Sequence, residues 1–392
     1  MKVQRMQPPV ASQIDGNALL TGVLGLFGRR IGIERLRRDC REYFGVSHAF
    51  LVSSGKAALT VSLRALTRLR PGLSEVVIPA YTCFSVPSAI VAAGLKPVIC
   101  DVGRESLDYD FDELSDRVSE RTLCVVCGHL FGIPSNFAAI ERICSRFGVP
   151  VLDDAAQAMG VEVDGHKLGT LGAVGIFSLG RGKCISAGSG GVIVTRSAEI
   201  GGEVKSICGM LPVPSFARDL ASLAKVFAQV LLGRPSMYWL PAGLPWLRLG
   251  ETVFDESFEI EGMSNSAASL MTDWPSRLDR MNVSRVAAGR IYLSELGSYA
   301  LAKLEIPYLR FPILTESPAH YRRIVSDSRA MALGIRPMYP TPVSEIRQLS
   351  GLLSRRSYPN ARDVCSRLLT LPTHSFLSRS EQARVCRLVL GS

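Results

Sequence analysis

Lys183 stands in SLGRGKCISAGSGG (Ser178–Gly191), a stretch of glycine, serine and other small residues that one arginine, Arg181, precedes. A lysine on a glycine-rich turn can approach a ligand closely, because nothing blocks it. Lysine is also the side chain that forms Schiff bases with carbonyl compounds once its proton affinity is lowered. Two other stretches carry groups of comparable interest. In VSSGKAAL (Val52–Leu59) an apolar run ends in Ser-Ser-Gly and a helix begins at once. The first N–H groups of such a helix are unpaired and point outward, a ready cradle for phosphate. In VLDDAAQAMG (Val151–Gly160) an apolar run leads straight into Asp153 and Asp154. An acidic residue at a strand's buried end is costly unless it meets a partner.

Each stretch has a plainer reading by itself: an N-cap by Ser53 or Ser54, an aspartate capping a helix, a lysine on the surface. Together they are more specific. A phosphate cradle, a carboxylate and a lysine at one sheet edge are what pyridoxal 5'-phosphate requires. The lysine holds the aldehyde, the carboxylate keeps the pyridine nitrogen protonated so that the ring accepts electrons, and the helix terminus holds the phosphate.

The elements that must position these groups are legible in the hydrophobic pattern. From about residue 30 to 200, amphipathic helical segments alternate with short apolar runs rich in Val and Ile: HAFLVSS, SEVVIPA, KPVICDV, TLCVVCGHL, VPVLDDAA, GAVGIFSL and GGVIVTR. This alternation predicts an α/β fold, a mostly parallel sheet of seven-stranded type with helices on both faces. Ligands gather at the carboxyl ends of strands in such sheets. Residues 1–250 are expected to form the large cofactor-binding domain, and residues 251–392 a smaller α+β domain.

Residues 205–250 differ in kind. A helix with an apolar stripe (Leu220, Leu223, Phe227, Val230, Leu231) precedes a proline-broken aromatic stretch with Tyr238, Trp239 and Trp246, flanked by Arg218, Lys225, Arg234 and Arg248. The helix is too short to span a bilayer. Its stripe fits packing on the sheet or across a dimer. With the aromatics and basic residues it also fits peripheral contact with an anionic membrane surface, through residues 210–250.

The 392 residues are 47% apolar and carry a net charge of +10. Lysine and arginine are scattered, and the densest run, GRRIGIERLRRDCR, reads as a solvated helix face, so no nucleic-acid partner is expected. The ten cysteines are irregularly spaced and MKVQRMQPPVAS has no apolar core, which predicts free thiols in the cytoplasm. Cys124 and Cys127 form a CxxC within a strand, where residues three apart face opposite ways, so a redox or metal role is not expected. No metal-ligand spacing appears among the histidines and cysteines. His129 reads as a hydrogen-bonded structural histidine beside the site, and His374 as structural.

These motifs, SSGKAAL, PAYTCFS, DDAAQAMG and a serine five residues before the lysine of K-x-x-x-x-G-x-G-G, resemble the DegT/DnrJ/EryC1/StrS family of sugar aminotransferases over about residues 30–200. The resemblance implies a fold type I pyridoxal-phosphate enzyme that works as a homodimer. It would move an amino group from glutamate, or a similar donor, to a keto-sugar, nucleotide-linked, for cell-surface polysaccharide or secondary metabolites. Sugar dehydration, or a non-catalytic regulatory protein on the same fold, are the alternatives. Carried over, Lys183 holds the cofactor and shuttles the proton, and Asp154 pairs with the pyridine nitrogen. Gln157 sits near the ring's phenolic oxygen or its face, and Ser178 binds phosphate with the amides of Gly55 and Lys56. Four departures stand out. Lys56 replaces a threonine; Cys83 replaces the aromatic that stacks on the ring, so that either the neighbouring Phe84 substitutes or the stacking is weaker; Met159 replaces a histidine. Ile260 and Gly262 stand where G-x-N-x-R lets a second subunit reach the phosphate.

Overall fold

The computed structural model describes residues 5–11, 13–28, 30–244, 253–353 and 356–391. The chain lays down β1 (His48–Val52), β2 (Glu75–Pro79), β3 (Lys96–Cys100), β4 (Thr122–Gly128) and β5 (Val151–Asp154). A short hairpin of β6 (Glu162–Val163) and β7 (His166–Lys167) follows, then β8 (Val174–Ser178) and β9 (Gly191–Thr195). Seven of these form one sheet in the order β1-β9-β8-β5-β4-β2-β3. Only β9 runs against its neighbours.

Helices on the crossovers cover both faces, so the strands are buried on both sides and read as continuous apolar runs. β4 shows the consequence. Cys124 and Val126 pack into the core on one face, Val125 and Cys127 into the core on the other. The CxxC pair is therefore split by the pleat. Burial pushes both thiols above the usual range.

A second, antiparallel sheet pairs β10 (Phe311–Leu314), β12 (Leu368–Leu371) and β11 (Arg336–Pro337), in the order β10-β12-β11. The long helix Trp274–Leu296 and the helix Arg379–Leu390 bury Tyr292, Leu296, Val385 and Val389 with Phe311 and Ile313 of this sheet. The beginning of the long helix belongs elsewhere. Trp274 and Leu278 share a core with Ile33, Leu36 and Phe44 of the helix Ile31–Phe44.

The helix Phe216–Leu232 divides the stripe expected of it. Leu223 and the unforeseen Val226 are each 3% exposed and pack into the core, whereas Leu220, Phe227 and Leu231 face solvent. Tyr238 is buried, and Trp239 donates its indole N–H to the Ser236 carbonyl. Trp246 and Arg248 lie outside the described residues. Among those described, no helix is long and apolar enough to cross a membrane.

Candidate active site

The carboxyl ends of β1, β4, β5 and β8 surround a cavity of about 210 Å³. Gly55, Lys56, Cys83, Asp154, Gln157, Ser178 and Lys183 all line it, together with Ser54 and His129. Phe84 does not. It lies behind the lining, 6% exposed, with its ring 6.4 Å from that of Tyr339. The structure therefore corrects the expectation that Phe84 stands in for the missing aromatic: Phe84 immediately precedes the helix Ser85–Ala92 and turns into the core. Cys83 remains at the wall, where its thiol meets the Tyr339 hydroxyl.

Ser54 caps the helix Gly55–Leu69, its hydroxyl accepting from Ala57 N–H at 3.1 Å. The first intrahelical bond is Ala58 N–H to the Ser54 carbonyl. The amides of Gly55 and Lys56 precede it and open toward the cavity end of the helix, where the dipole favours an anion. Gly55 is required there by contact, because a Cβ would stand 2.8 Å from the Ser178 Cβ. Lys56 turns its ammonium away from a bare cationic role. It donates to Asp255 at 2.9 Å and lies 4.3 Å over the Phe258 ring, and this pairing holds the Asp255 carboxyl below its usual range.

Asp153 and Asp154 are consecutive on β5 and point to opposite faces. Asp154 looks into the cavity and accepts from Ala156 N–H at 3.0 Å. Burial pushes its carboxyl up, opposed by the Ala156 bond and by the Lys183 charge. A cationic N–H donor brought to this carboxyl would reverse the effect of burial. Asp153 is fully buried and receives the His129 Nε2 proton at 2.8 Å, while Gly169 and Leu171 N–H groups donate to its other oxygen. His129 Nδ1 accepts from Ser135 N–H, which leaves the ring proton on Nε2. His129 is thus a wall of the cavity with both nitrogens committed.

Gln157 lines the cavity, but its amide is tied to protein. The carbonyl accepts from Phe131 N–H at 3.1 Å and the NH2 donates to the Tyr339 hydroxyl at 2.8 Å. Phe131 and Tyr339 both adopt left-handed backbone (φ 59° and 45°), a costly geometry for aromatic residues that the packing around the site maintains. Tyr339 arrives from the second sheet's segment, and no local signal in IRPMYP marks it.

Lys183 lies in the turn between β8 and β9. The bareness of that turn also has a steric cause at its far end. A Cβ on Gly191 would stand 2.2 Å from the Ser54 carbonyl oxygen, and one on Gly188 2.2 Å from Val226. Gly188 and Gly190 also hold positive φ (82° and 127°). The glycines let the turn press against Ser54 and the helix Phe216–Leu232, and so fix where Lys183 starts. Of the remaining departures, Met159 is buried in one core cluster, Ile260 packs half-buried against another, and Gly262 bridges to Val52.

The profile described as the DegT/DnrJ/EryC1/StrS aminotransferase family matches residues 22–220 and 259–390. Most of the apolar segment that follows Leu220 falls in the gap. GDP-perosamine synthase of Vibrio cholerae is 32% identical over 165 residues, 42% of this chain and 44% of that protein. L-glutamine:2-deoxy-scyllo-inosose aminotransferase of Streptomyces kanamyceticus is 32% identical over 181 residues, 45% of this chain and 42% of that protein. The chain thus spans less than half the length of these curated relatives. Among solved structures, Helicobacter pylori PseC, an aminotransferase involved in the biosynthesis of pseudoaminic acid, superimposes with a TM-score of 0.79. It shares 16% identity, with 98% of each chain covered, so the likeness is one of fold.

Proposed function

Because the chain belongs to the DegT/DnrJ/EryC1/StrS aminotransferase family, we propose that it is a pyridoxal-phosphate-dependent aminotransferase. It moves an amino group from glutamate, or a similar donor, to a keto-sugar carried on a nucleotide. The observation that carries this reading is the convergence of Lys183, Asp154 and the Gly55–Ser178 contact on one cavity.

The residues present fit the cofactor. The Gly55–Ser178 contact forms a cradle that a Cβ would fill, at the end of a helix whose first amides are open. Asp154 is a half-buried carboxyl at the cavity whose desolvation the Ala156 N–H and the Lys183 charge oppose, and a protonated ring nitrogen beside it would oppose it further. When bound, pyridoxal phosphate supplies an electron-accepting ring. Asp154 holds the ring-nitrogen proton. The Gly55 and Lys56 amides and the Ser178 hydroxyl hold the phosphate. Lys183 would hold the cofactor's aldehyde carbon and, once freed by the donor amine, would take and return the proton at the substrate carbon that bears nitrogen. Gln157 and Cys83 would line the wall beside the cofactor, and Tyr339 braces both from behind.

The working unit in this reading is a homodimer in the cytoplasm. Exposed Leu20, Leu24, Phe27 and Phe216 support an apolar subunit contact, with the Phe27 and Phe216 rings 6.1 Å apart. All ten cysteines are unpaired, which suits a reducing compartment. The test is an absorbance spectrum of the purified protein before and after borohydride, followed by glutamate alone. Covalent retention of the cofactor on Lys183, and its conversion to the amine form by glutamate, are expected. A protein that binds the cofactor but exchanges no amino group with glutamate, glutamine or aspartate would overturn the transaminase reading.

A further inference from the structure

Arg310 precedes β10 and is 5% exposed. Its Nε has no hydrogen-bond partner, one terminal nitrogen donates to the weak acceptor Met338 Sδ at 3.4 Å, and the other makes a long contact of 3.4 Å to the Thr370 carbonyl. The charged and titratable groups that face it are Arg336, Tyr238, Tyr339 and Tyr81, one further cation and three phenols. Arg336, on β11, bonds the Tyr238 hydroxyl. Tyr238 in turn faces Arg181, two residues before Lys183. Among the described residues, neither Arg310 nor Arg336 meets a carboxylate. An interior guanidinium is normally paired, because its desolvation is otherwise uncompensated. This cluster also touches the cavity wall, since Tyr339 beside Arg310 holds Gln157.

We infer that Arg310 and Arg336, with Arg181 at the rim, form an anion subsite next to the Lys183 turn that receives an oxyanion of the substrate. The inference rests on the proposed transamination. Guanidinium forks suit planar or tetrahedral oxyanions in bidentate geometry. Arg336, the more exposed of the pair, is the point of entry, Arg310 backs it, and Tyr238 from the segment Arg234–Gly243 orients it. The matching group is a carboxylate of the amino donor or a phosphate of the sugar's nucleotide carrier.

The test titrates the full-length protein with succinate and, separately, with inorganic pyrophosphate, by calorimetry, in the wild type and in Arg336→Gln, Arg336→Lys and Arg310→Met. At least tenfold weaker succinate binding in Arg336→Gln and Arg310→Met assigns the subsite to the donor carboxylate. The same loss for pyrophosphate assigns it to the carrier phosphate. Arg336→Lys should recover part of either. Arg310→Met should melt no lower than wild type, because it removes an unpaired buried cation; if it does not fold, Arg336→Gln decides. Failure of the transaminase reading would show as no amino-group exchange with glutamate, glutamine or aspartate and would leave these titrations legible. Wild type that binds neither probe, or variants that bind both as tightly as wild type, would overturn the subsite.

Discussion

Gly55 and Ser178 meet so closely that a Cβ on the glycine would stand 2.8 Å from the serine Cβ and 3.0 Å from its hydroxyl oxygen. One residue opens the helix Gly55–Leu69 and the other closes β8, so their contact sets the width of the proposed phosphate cradle. Gly55→Ala should push the two apart at a cost of about 1–3 kcal/mol. We expect at least tenfold weaker cofactor binding, by equilibrium dialysis, from a protein that remains folded by circular dichroism. Undiminished affinity would dissociate this contact from the phosphate.

The two aspartates of β5 should respond differently. Asp154→Asn should retain cofactor and lose most turnover, because a neutral amide cannot hold the ring nitrogen protonated. Asp153 is no inert control, despite pointing elsewhere: it accepts from His129, Gly169 and Leu171 in a fully buried position. Asp153→Asn should cost on the order of 2–3 kcal/mol of stability in denaturant melts, as buried donors lose a charged acceptor. Near-normal turnover in Asp154→Asn would remove the role assigned to it.

His374 supplies a pH dependence of stability. Its Nε2 donates to the Pro8 carbonyl at 2.8 Å, its Nδ1 is buried without a partner, and burial pushes the imidazole down to about 4. Between this value and the ordinary 6.5 the unfolded chain binds the proton and the folded chain does not. Stability therefore falls as pH drops through that window, by on the order of 3 kcal/mol at most. Thermal melts of wild type and His374→Gln should converge as pH falls from 7 toward 4. A constant difference across that range would show that His374 does not titrate on unfolding.

The exposed apolar face predicts association. Leu24 and Phe27 are 60% and 76% exposed beside Phe216. Sedimentation should find a dimer for wild type and a monomer, or a dimer at least tenfold weaker, for Leu24→Ser with Phe27→Ser. A wild-type monomer that floats with anionic liposomes would point to a membrane surface instead.

The β-strand runs, the serine caps, the split CxxC and the three chemical stretches were legible because each depends on neighbours within a few residues. The mostly parallel character of the sheet follows from the same pattern, since buried parallel strands need helical crossovers, whereas the strand order, with β9 antiparallel between β1 and β8, does not. Even the spacing of Ser178 from Lys183 is local, set by one turn.

Other features were decided by the approach of distant segments, which no local pattern records. Phe84 and Cys83 are adjacent in the chain, yet only Cys83 reaches the cavity, because the helix Ser85–Ala92 turns Phe84 into the core. Gly191 is bare because the Ser54 carbonyl presses on it. Tyr339 comes from the second sheet to bond Gln157 across 182 positions. Arg310, Arg336 and Tyr238 look like ordinary surface residues in the sequence. Only the packing of three remote segments brings them together and leaves the Arg310 guanidinium buried without a carboxylate among the described residues.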